Sequence, residues 1–182
     1  IVLFSPLFLI VGIVIKLTSP GPIFYTQSRI GYGGKEFKIY KFRTMFCDAH
    51  KMEKYLTKEM LDYYAVHRKL KNDPRITKVG RFLRCSCIDE LPQLFNVIKG
   101  EMSLIGPRPM LQDEVIDYGS AFNTYISIRP GITGLWQVQN KQSYMMSTRA
   151  ISDMQYCRDM SLKSDLRIFY GTVKVMFMRK GA

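Results

Sequence analysis

Two adjacent carboxylates, Asp89 and Glu90, stand immediately before Leu91-Pro92. Proline is accepted in a helix only in its first turn, where its missing N–H costs no hydrogen bond, so Pro92 places a helix start close to Asp89. Free backbone N–H groups and the helix dipole favour negative charge at such an end. That predicts an ionised Asp89 and a docking place for a phosphate. Adjacent helical side chains diverge by about 100°, so these two carboxylates cannot share one task. They suit a division of labour, in which one attacks and the other binds a metal or positions its neighbour. Upstream, Arg75, Lys78, Arg81 and Arg84 recur at every third residue, and from Lys78 onward a helix gathers the cations onto one face. Each feature has a plain structural alternative. An acidic pair at a helix start is commonly a cap, and a cationic helix face is commonly a solvated one.

Around these residues the pattern predicts an α+β, helix-rich small domain. Ile23–Gln27 and Phe37–Phe42 read as strands joined by a glycine turn at Ile30–Gly34, giving a short β-hairpin. The glycine turn is not a phosphate-binding Walker loop, because no Gly-Lys-Ser/Thr follows it. From Asp48 to Leu70 the pattern is helical and highly charged, and Asn72-Asp73-Pro74 interrupts it. Helices are expected over Lys78–Cys85 and Asp89–Lys99, the second closed by Gly100. Gly106-Pro107-Arg108-Pro109 and Arg129-Pro130-Gly131 read as rigid loops.

The chain has 182 residues, 47% of them hydrophobic, with a net charge of +12. It can bury a core, and it attracts something anionic: nucleic acid, phospholipid headgroups or a phosphorylated substrate. Cys47, Cys85, Cys87 and Cys157 show neither a disulfide framework nor paired zinc-ligand spacing, which points to a reducing, cytosol-facing compartment.

Residues Ile1–Ile15 carry no charge, and Lys16 ends the run. The chain opens inside this apolar stretch and reads as lacking its natural start. A spanning helix needs about 20 apolar residues, so the stretch is too short to cross. It contains Ser5-Pro6, and a helix running through Pro6 must kink, with the serine hydroxyl available to the freed carbonyl. A kinked re-entrant membrane helix over residues 1–18, ahead of a cytoplasmic domain over 19–182, is one reading. A buried core helix and the end of a spanning helix are the others. Near the C-terminus Leu162, Leu166, Phe169, Tyr170, Val173, Met176 and Phe177 repeat at helical spacing between lysines and arginines. Such an amphipathic helix suits the membrane interface, or the domain core.

Five ordered blocks resemble one family. They are Ser19–Gln27 (SPGPIFYTQ), Tyr40–Met45 (YKFRTM), Asp89–Val97 (DELPQLFNV), Met102–Pro109 (MSLIGPRP) and Arg129–Val138 (RPGITGLWQV). The chain resembles the bacterial sugar transferases, monotopic phosphoglycosyl transferases that prime glycan assembly on polyprenyl phosphate. The resemblance implies an enzyme at the cytoplasmic face of the bacterial inner membrane, with Ser5 and Pro6 at the kink of the re-entrant helix. It implies a catalytic dyad at Asp89 and Glu90, with Mg2+ as cofactor and Glu90 as its ligand. By the same resemblance Asp89 attacks the β-phosphorus of a UDP-sugar, UMP leaves, and polyprenyl (undecaprenyl) phosphate then takes the phosphosugar. Arg84 is implied as a lipid-phosphate contact, with Arg81 and Lys78 beside it in the cationic row. Arg108 and Arg129 are candidates for the nucleotide or sugar-phosphate site.

Two positions depart from the family pattern. Lys141 stands where the family carries an arginine with a preceding glycine, and a lysine cannot form the bidentate fork of a guanidinium. Cys87 stands where leucine is common. Lys141 is retained as a substrate-binding candidate. Competing classes are a lipid-binding module without turnover, a transferase that releases UDP instead of UMP, and a nucleic-acid binder. The last has the charge but no binding motif, so no nucleic acid is expected as a partner. Self-association into a homo-oligomer, the identity of the sugar (a lean to galactose or glucose) and the glycan pathway are not set by these residues.

Overall fold

A computed structural model describes residues 4–67, 70–139 and 146–177, the side chains of 146, 147 and 177 excepted. Strands β1 (Phe24–Ile30) and β2 (Glu36–Phe42) form the expected antiparallel hairpin, with Phe24 opposite Phe42 and Ile30 opposite Glu36. Both strands run further toward the turn than their hydrophobic alternation indicated. Ahead of the hairpin lies α1 (Ser5–Thr18), which buries Val11 and Ile15 against Phe42 and Leu83. Pro6 falls in its first turn, where a proline displaces no helical hydrogen bond. A kink needs helix on both sides of Pro6, and residues 1–3 lie outside the described residues. Among those described, no helix is long and apolar enough to cross a membrane.

The charged stretch after the hairpin is less helical than its pattern. It holds a single 3₁₀ turn at Met52–Lys54 and then α2 (Lys58–His67). Asp73 and Arg75 form a buried ion pair at 2.6 Å, and the Arg75 guanidinium lies 4.7 Å from the centre of the Tyr64 ring. Arg75 is therefore a structural cation ahead of the helix and not the first member of the cationic row.

Helix α3 (Lys78–Cys85) forms where expected and is capped by the Thr77 hydroxyl, which accepts from Gly80 N at 2.8 Å. Gly80 is required by packing: a Cβ there would lie 1.9 Å from the Thr44 carbonyl oxygen. Its absence lets α3 lie directly on the loop that follows β2. The helix expected over Asp89–Lys99 is divided. Ile88–Gln93 is a 3₁₀ segment containing Pro92, and only α4 (Leu94–Ile98) is α-helical, ending at Gly100 with φ +74°. Cys87, in the left-handed region at φ +56°, turns the chain between α3 and this segment. Only a few per cent of non-glycine residues adopt that conformation, and it costs about 1–2 kcal/mol.

Two three-residue strands, β3 (Ser103–Ile105) and β4 (Gly131–Thr133), pair in parallel beside the two proline loops. Such short strands leave no alternation to read in the sequence. A Cβ on Gly131 would come within 2.1 Å of Gly106 N, so glycine alone permits this approach. Between them run α5 (Val115–Tyr118) and α6 (Ala121–Ile126), and after them α7 (Leu135–Gln139), α8 (Met146–Arg158) and α9 (Leu162–Phe177). A second core joins Ile30, Met110, Tyr118, Tyr125 and Ala150. The fold is α+β, as expected, with two small sheets among the described residues instead of one.

One side chain ties these parts together. Asn96, fully buried on α4, accepts from Tyr40 N at 3.1 Å and donates to the Lys38 carbonyl at 2.8 Å. It also donates to Glu101 Oε2 at 2.7 Å. Its amide thus serves the open edge of β2 as a third strand would. Asn96→Leu keeps the branched shape of the side chain and strands those backbone groups. It is expected to lower the unfolding free energy, read from urea denaturation, by about 2–4 kcal/mol.

Candidate active site

The site is built around the 3₁₀ segment Ile88–Gln93. Asp89 is 8% exposed, and its neighbour Glu90 is half-buried. Glu90 Oε1 accepts from Lys41 Nζ at 2.6 Å, so β2 delivers a cation directly onto the acidic pair. From the last turn of α3, Arg84 Nε donates to Thr44 Oγ1 at 2.9 Å. Burial pushes the Asp89 carboxyl up to about 6, and the Glu90 charge pushes in the same direction. Lys41 and Arg84 oppose the shift without cancelling it. The helix-end field predicted from the sequence does not hold Asp89 in the ordinary carboxylate range, because desolvation and a like charge outweigh it. The Arg84 guanidinium is itself pulled down by burial, with Asp89 acting in the opposite direction.

Asp89, Glu90, Arg81, Arg84, Arg108 and Arg129 all line one wide, open groove. Six candidates scattered over 49 positions of sequence therefore share a surface. Lys78 does not: it is exposed on the first turn of α3 and outside the groove lining. Lys141 lies outside the described residues. Arg129 is exposed, its Nε donating to the Gly100 carbonyl at 2.8 Å and its guanidinium 5.5 Å from the centre of the Tyr32 ring.

Three cations of the site carried no assigned role in the sequence reading. Lys41 sits within a recognised block, but nothing in its spacing tied it to Glu90, 49 residues away. Arg29 and Arg149 are both buried. Arg29 Nη1 donates to the Pro109 carbonyl at 3.0 Å, and Arg149 Nη2 donates to the Arg108 carbonyl at 2.9 Å. The Tyr125 hydroxyl donates to the Ile30 carbonyl and accepts from Met110 N, both at 2.9 Å. The loop that carries Arg108 is thereby gripped at consecutive carbonyls by two guanidiniums. Arg29 is lowered to about 10, by burial first and by the nearby Arg108 charge second. For Arg29 the signal available in the sequence was only its place beside the apolar Ile30, where a buried charge needs a partner.

Behind the loop, Arg149 pairs with Glu114 at 3.1 Å, and Tyr118 donates its hydroxyl hydrogen to Asp153 at 2.7 Å. Burial raises Asp153 to about 6, against the hydrogen bond from Tyr118 and the Arg149 charge.

The arrangement supplies a buried carboxylate of raised basicity, a second carboxylate one residue on, and cations along the same wall. It suits attack on, or neutralisation of, a phosphorylated substrate. Among the described residues no three acidic, histidine or cysteine side chains cluster closely enough to cage a metal. The donor set nevertheless fits magnesium, a hard cation commonly held by one or two carboxylates together with substrate phosphates.

A family model described as bacterial sugar transferase matches residues 1–179. The chain is 42% identical over 185 residues to the exopolysaccharide production protein ExoY of Rhizobium meliloti, covering 100% of this chain and 82% of that protein. It is 44% identical over 169 residues to the undecaprenyl-phosphate galactose phosphotransferase of Salmonella typhimurium, covering 89% of this chain and 35% of the relative. It is 36% identical over 190 residues to the UDP-glucose:undecaprenyl-phosphate glucose-1-phosphate transferase of Escherichia coli, covering 100% of this chain and 38% of the relative.

The buried network behind the site gives a pH signature. Asp153 titrates near 3.8 when unfolded and about 6 when folded. Between those values the folded state binds more protons, so this carboxyl makes stability fall as pH rises from about 4 to about 6. Asp153→Asn removes that contribution and leaves the one from Asp89. Thermal unfolding followed across the window is expected to show a shallower fall in the variant than in the parent.

Proposed function

The chain belongs to the bacterial sugar transferase family, and from that premise we propose that it transfers a sugar 1-phosphate from a UDP-sugar to undecaprenyl phosphate, releasing UMP. The observation that carries the reading is Asp89, a buried carboxylate in the wall of a cation-lined groove. In the first step a carboxylate oxygen of Asp89 attacks the β-phosphorus of the UDP-sugar. An oxygen–phosphorus bond forms to Asp89, the bond from that phosphorus to the bridging oxygen breaks, and UMP leaves with the electron pair. In the second step a phosphate oxygen of the lipid attacks the same phosphorus, giving the lipid diphosphate-sugar and restoring the Asp89 carboxylate. A group raised to about 6 is mostly ionised at neutral pH and more basic than an ordinary aspartate, and both properties suit a nucleophile.

Arg84 is assigned to the incoming lipid phosphate, with Arg81 beside it, and Arg108 and Arg129 to the phosphates of the nucleotide sugar. All four line the same groove as Asp89. Magnesium is assigned to Glu90 and the substrate diphosphate, where it would neutralise charge on the phosphates. Lys41 holds the same carboxylate from the hairpin side. The names of two relatives put galactose and glucose first among the sugars to test.

Two apolar surfaces support a place at the membrane. Helix α1 buries one narrow face and leaves Leu9, Ile10, Ile13 and Leu17 exposed. Helix α9 touches the domain along Ile168, Gly171 and Thr172, while Leu162, Leu166, Phe169 and Tyr170 are 58–77% exposed. Its amphipathic apolar face is thus turned away from the core, and Arg179 and Lys180 beyond it lie outside the described residues. We assign residues 1–18 to the membrane as a re-entrant helix, bent at Ser5-Pro6, and 19–182 to the cytoplasmic side.

Mixing enzyme with a UDP-sugar and magnesium before any lipid is added is expected to release UMP in an amount limited by enzyme. The peptide containing Asp89 should gain the mass of one sugar phosphate. Asp89→Asn should abolish both signals, and Glu90→Gln should lower turnover at least tenfold and raise the magnesium needed for half-maximal rate. Release of UDP instead, or UMP only when lipid is present, would remove the aspartyl intermediate. For the membrane, Leu166→Glu combined with Phe169→Glu should reduce co-sedimentation with anionic vesicles several-fold. Unchanged sedimentation would take α9 out of the interface.

A further inference from the structure

Beside Glu90 is a recess of about 20 Å³, walled among others by Arg29, Lys41, Glu90, Arg108 and Gln137. Its size is that of one water-sized group. Two of its walls contribute buried polar atoms that have no hydrogen-bond partner among the described residues: Arg29 Nε, a donor, and Gln137 Oε1, an acceptor. The orientation of the Gln137 amide is fixed by its other end. Nε2 donates to the Ile132 carbonyl at 3.0 Å, and a carbonyl can only accept, so the oxygen must be the end left over. Arg29 has engaged Nη1 with the Pro109 carbonyl and Nη2 with Gln27 Oε1, and Nε is its one nitrogen without a partner among the described residues. Buried polar atoms are almost always paired in a folded protein, so two orphans around one small recess call for a shared partner.

The chemistry of that partner is narrow. It must accept from a guanidinium N–H and donate to an amide oxygen. A phosphate oxygen accepts but carries no hydrogen for Gln137. An ammonium group donates but meets the charges of Arg29, Arg108 and Lys41. An acetamido group exceeds the space. A hydroxyl does both within the volume of one oxygen.

We propose that this recess is the subsite for one hydroxyl of the transferred sugar, with Arg29 Nε–H donating to the hydroxyl oxygen and Gln137 Oε1 accepting its hydrogen. The assignment rests on the transfer of a sugar phosphate proposed above and makes Gln137 a specificity-determining residue. A sugar attached to the phosphorus under attack by Asp89 has its ring hydroxyls beside the dyad, where the recess lies.

The test couples an enzyme variant to a substrate variant. The UDP-hexose turned over fastest is compared with its 2-, 3-, 4- and 6-deoxy analogues, using the parent enzyme, Gln137→Met and Gln137→Leu, each as the full chain in detergent. With the parent enzyme, one analogue is expected to lose at least about tenfold in kcat/KM, the worth of one well-made hydrogen bond in a closed site. The Gln137 variants should lose a similar factor on the parent sugar and little more on that analogue, because the same contact is already gone. Losses that multiply would overturn the proposal and assign the recess to a fixed water. So would a parent enzyme that turns over every deoxy analogue within threefold of the parent sugar, a result that needs no variant to fold. Failure of the parent enzyme to release UMP from any UDP-sugar would overturn the transfer reaction itself, which is a separate outcome.

Discussion

The outer edge of β2 sets the frame for the site. A two-stranded hairpin leaves one row of backbone groups on each strand without a ladder partner, and an isolated hairpin is marginal in water. Here Asn96 answers that edge at Tyr40 N and the Lys38 carbonyl, from a helix three residues beyond Gln93. The consequence is geometric. With the hairpin fixed to the helix that follows the acidic segment, Lys41 has one place to reach, and that place is Glu90. The same strand buries Phe42 against α1 and α3. A polar contact thus fixes the register at which an apolar core closes.

The second constraint is electrostatic. Three guanidiniums, Arg29, Arg108 and Arg149, influence one another across the Gly106–Pro109 loop, with Glu114 and Asp153 as their nearby counter-charges. Arg29 and Arg149 each donate to a backbone carbonyl of this loop, and the Glu114 carboxylate takes up part of the Arg149 charge. The wall so formed suits a diphosphate. Across the groove, burial first and the Glu90 charge second raise the basicity of Asp89. Cys87 adds local strain two residues earlier, a left-handed turn in a non-glycine residue that aims the segment into the groove.

Economy of contact marks the outer helices. α9 meets the domain along Ile168, Gly171 and Thr172, with Gly171 against Val138 and Thr172 hydrogen-bonded to Thr133 at 2.7 Å. A seam that narrow cannot cover the larger apolar face of the same helix, which therefore turns outward. α1 shows the same habit. Exposed apolar surface of this extent carries a cost in water that a lipid phase would remove.

By itself the sequence determined the α+β class, the hairpin, the helix over Lys78–Cys85, the break at Gly100 and the location of the acidic pair. All of these rest on local rules: alternation, helical period, capping, and the intolerance of a helix for an interior proline. The family was legible for the same reason, since its motifs are contiguous stretches. Tertiary structure decided what no local rule reaches. It put Lys41 on Glu90 across 49 residues, drew Arg29 and Arg149 onto a loop about 80 and 40 residues away, and removed Arg75 from the cationic row by pairing it with Asp73. It shortened the helix after Asp89, because Pro92 and the packing of β2 against Ile88–Gln93 favour the tighter 3₁₀ turn. It also added burial to the influences on Asp89. A helix end favours an ionised carboxylate by a fraction of a kcal/mol to about 1. Burial beside a second carboxylate outweighs that, and burial is a property of the folded chain alone.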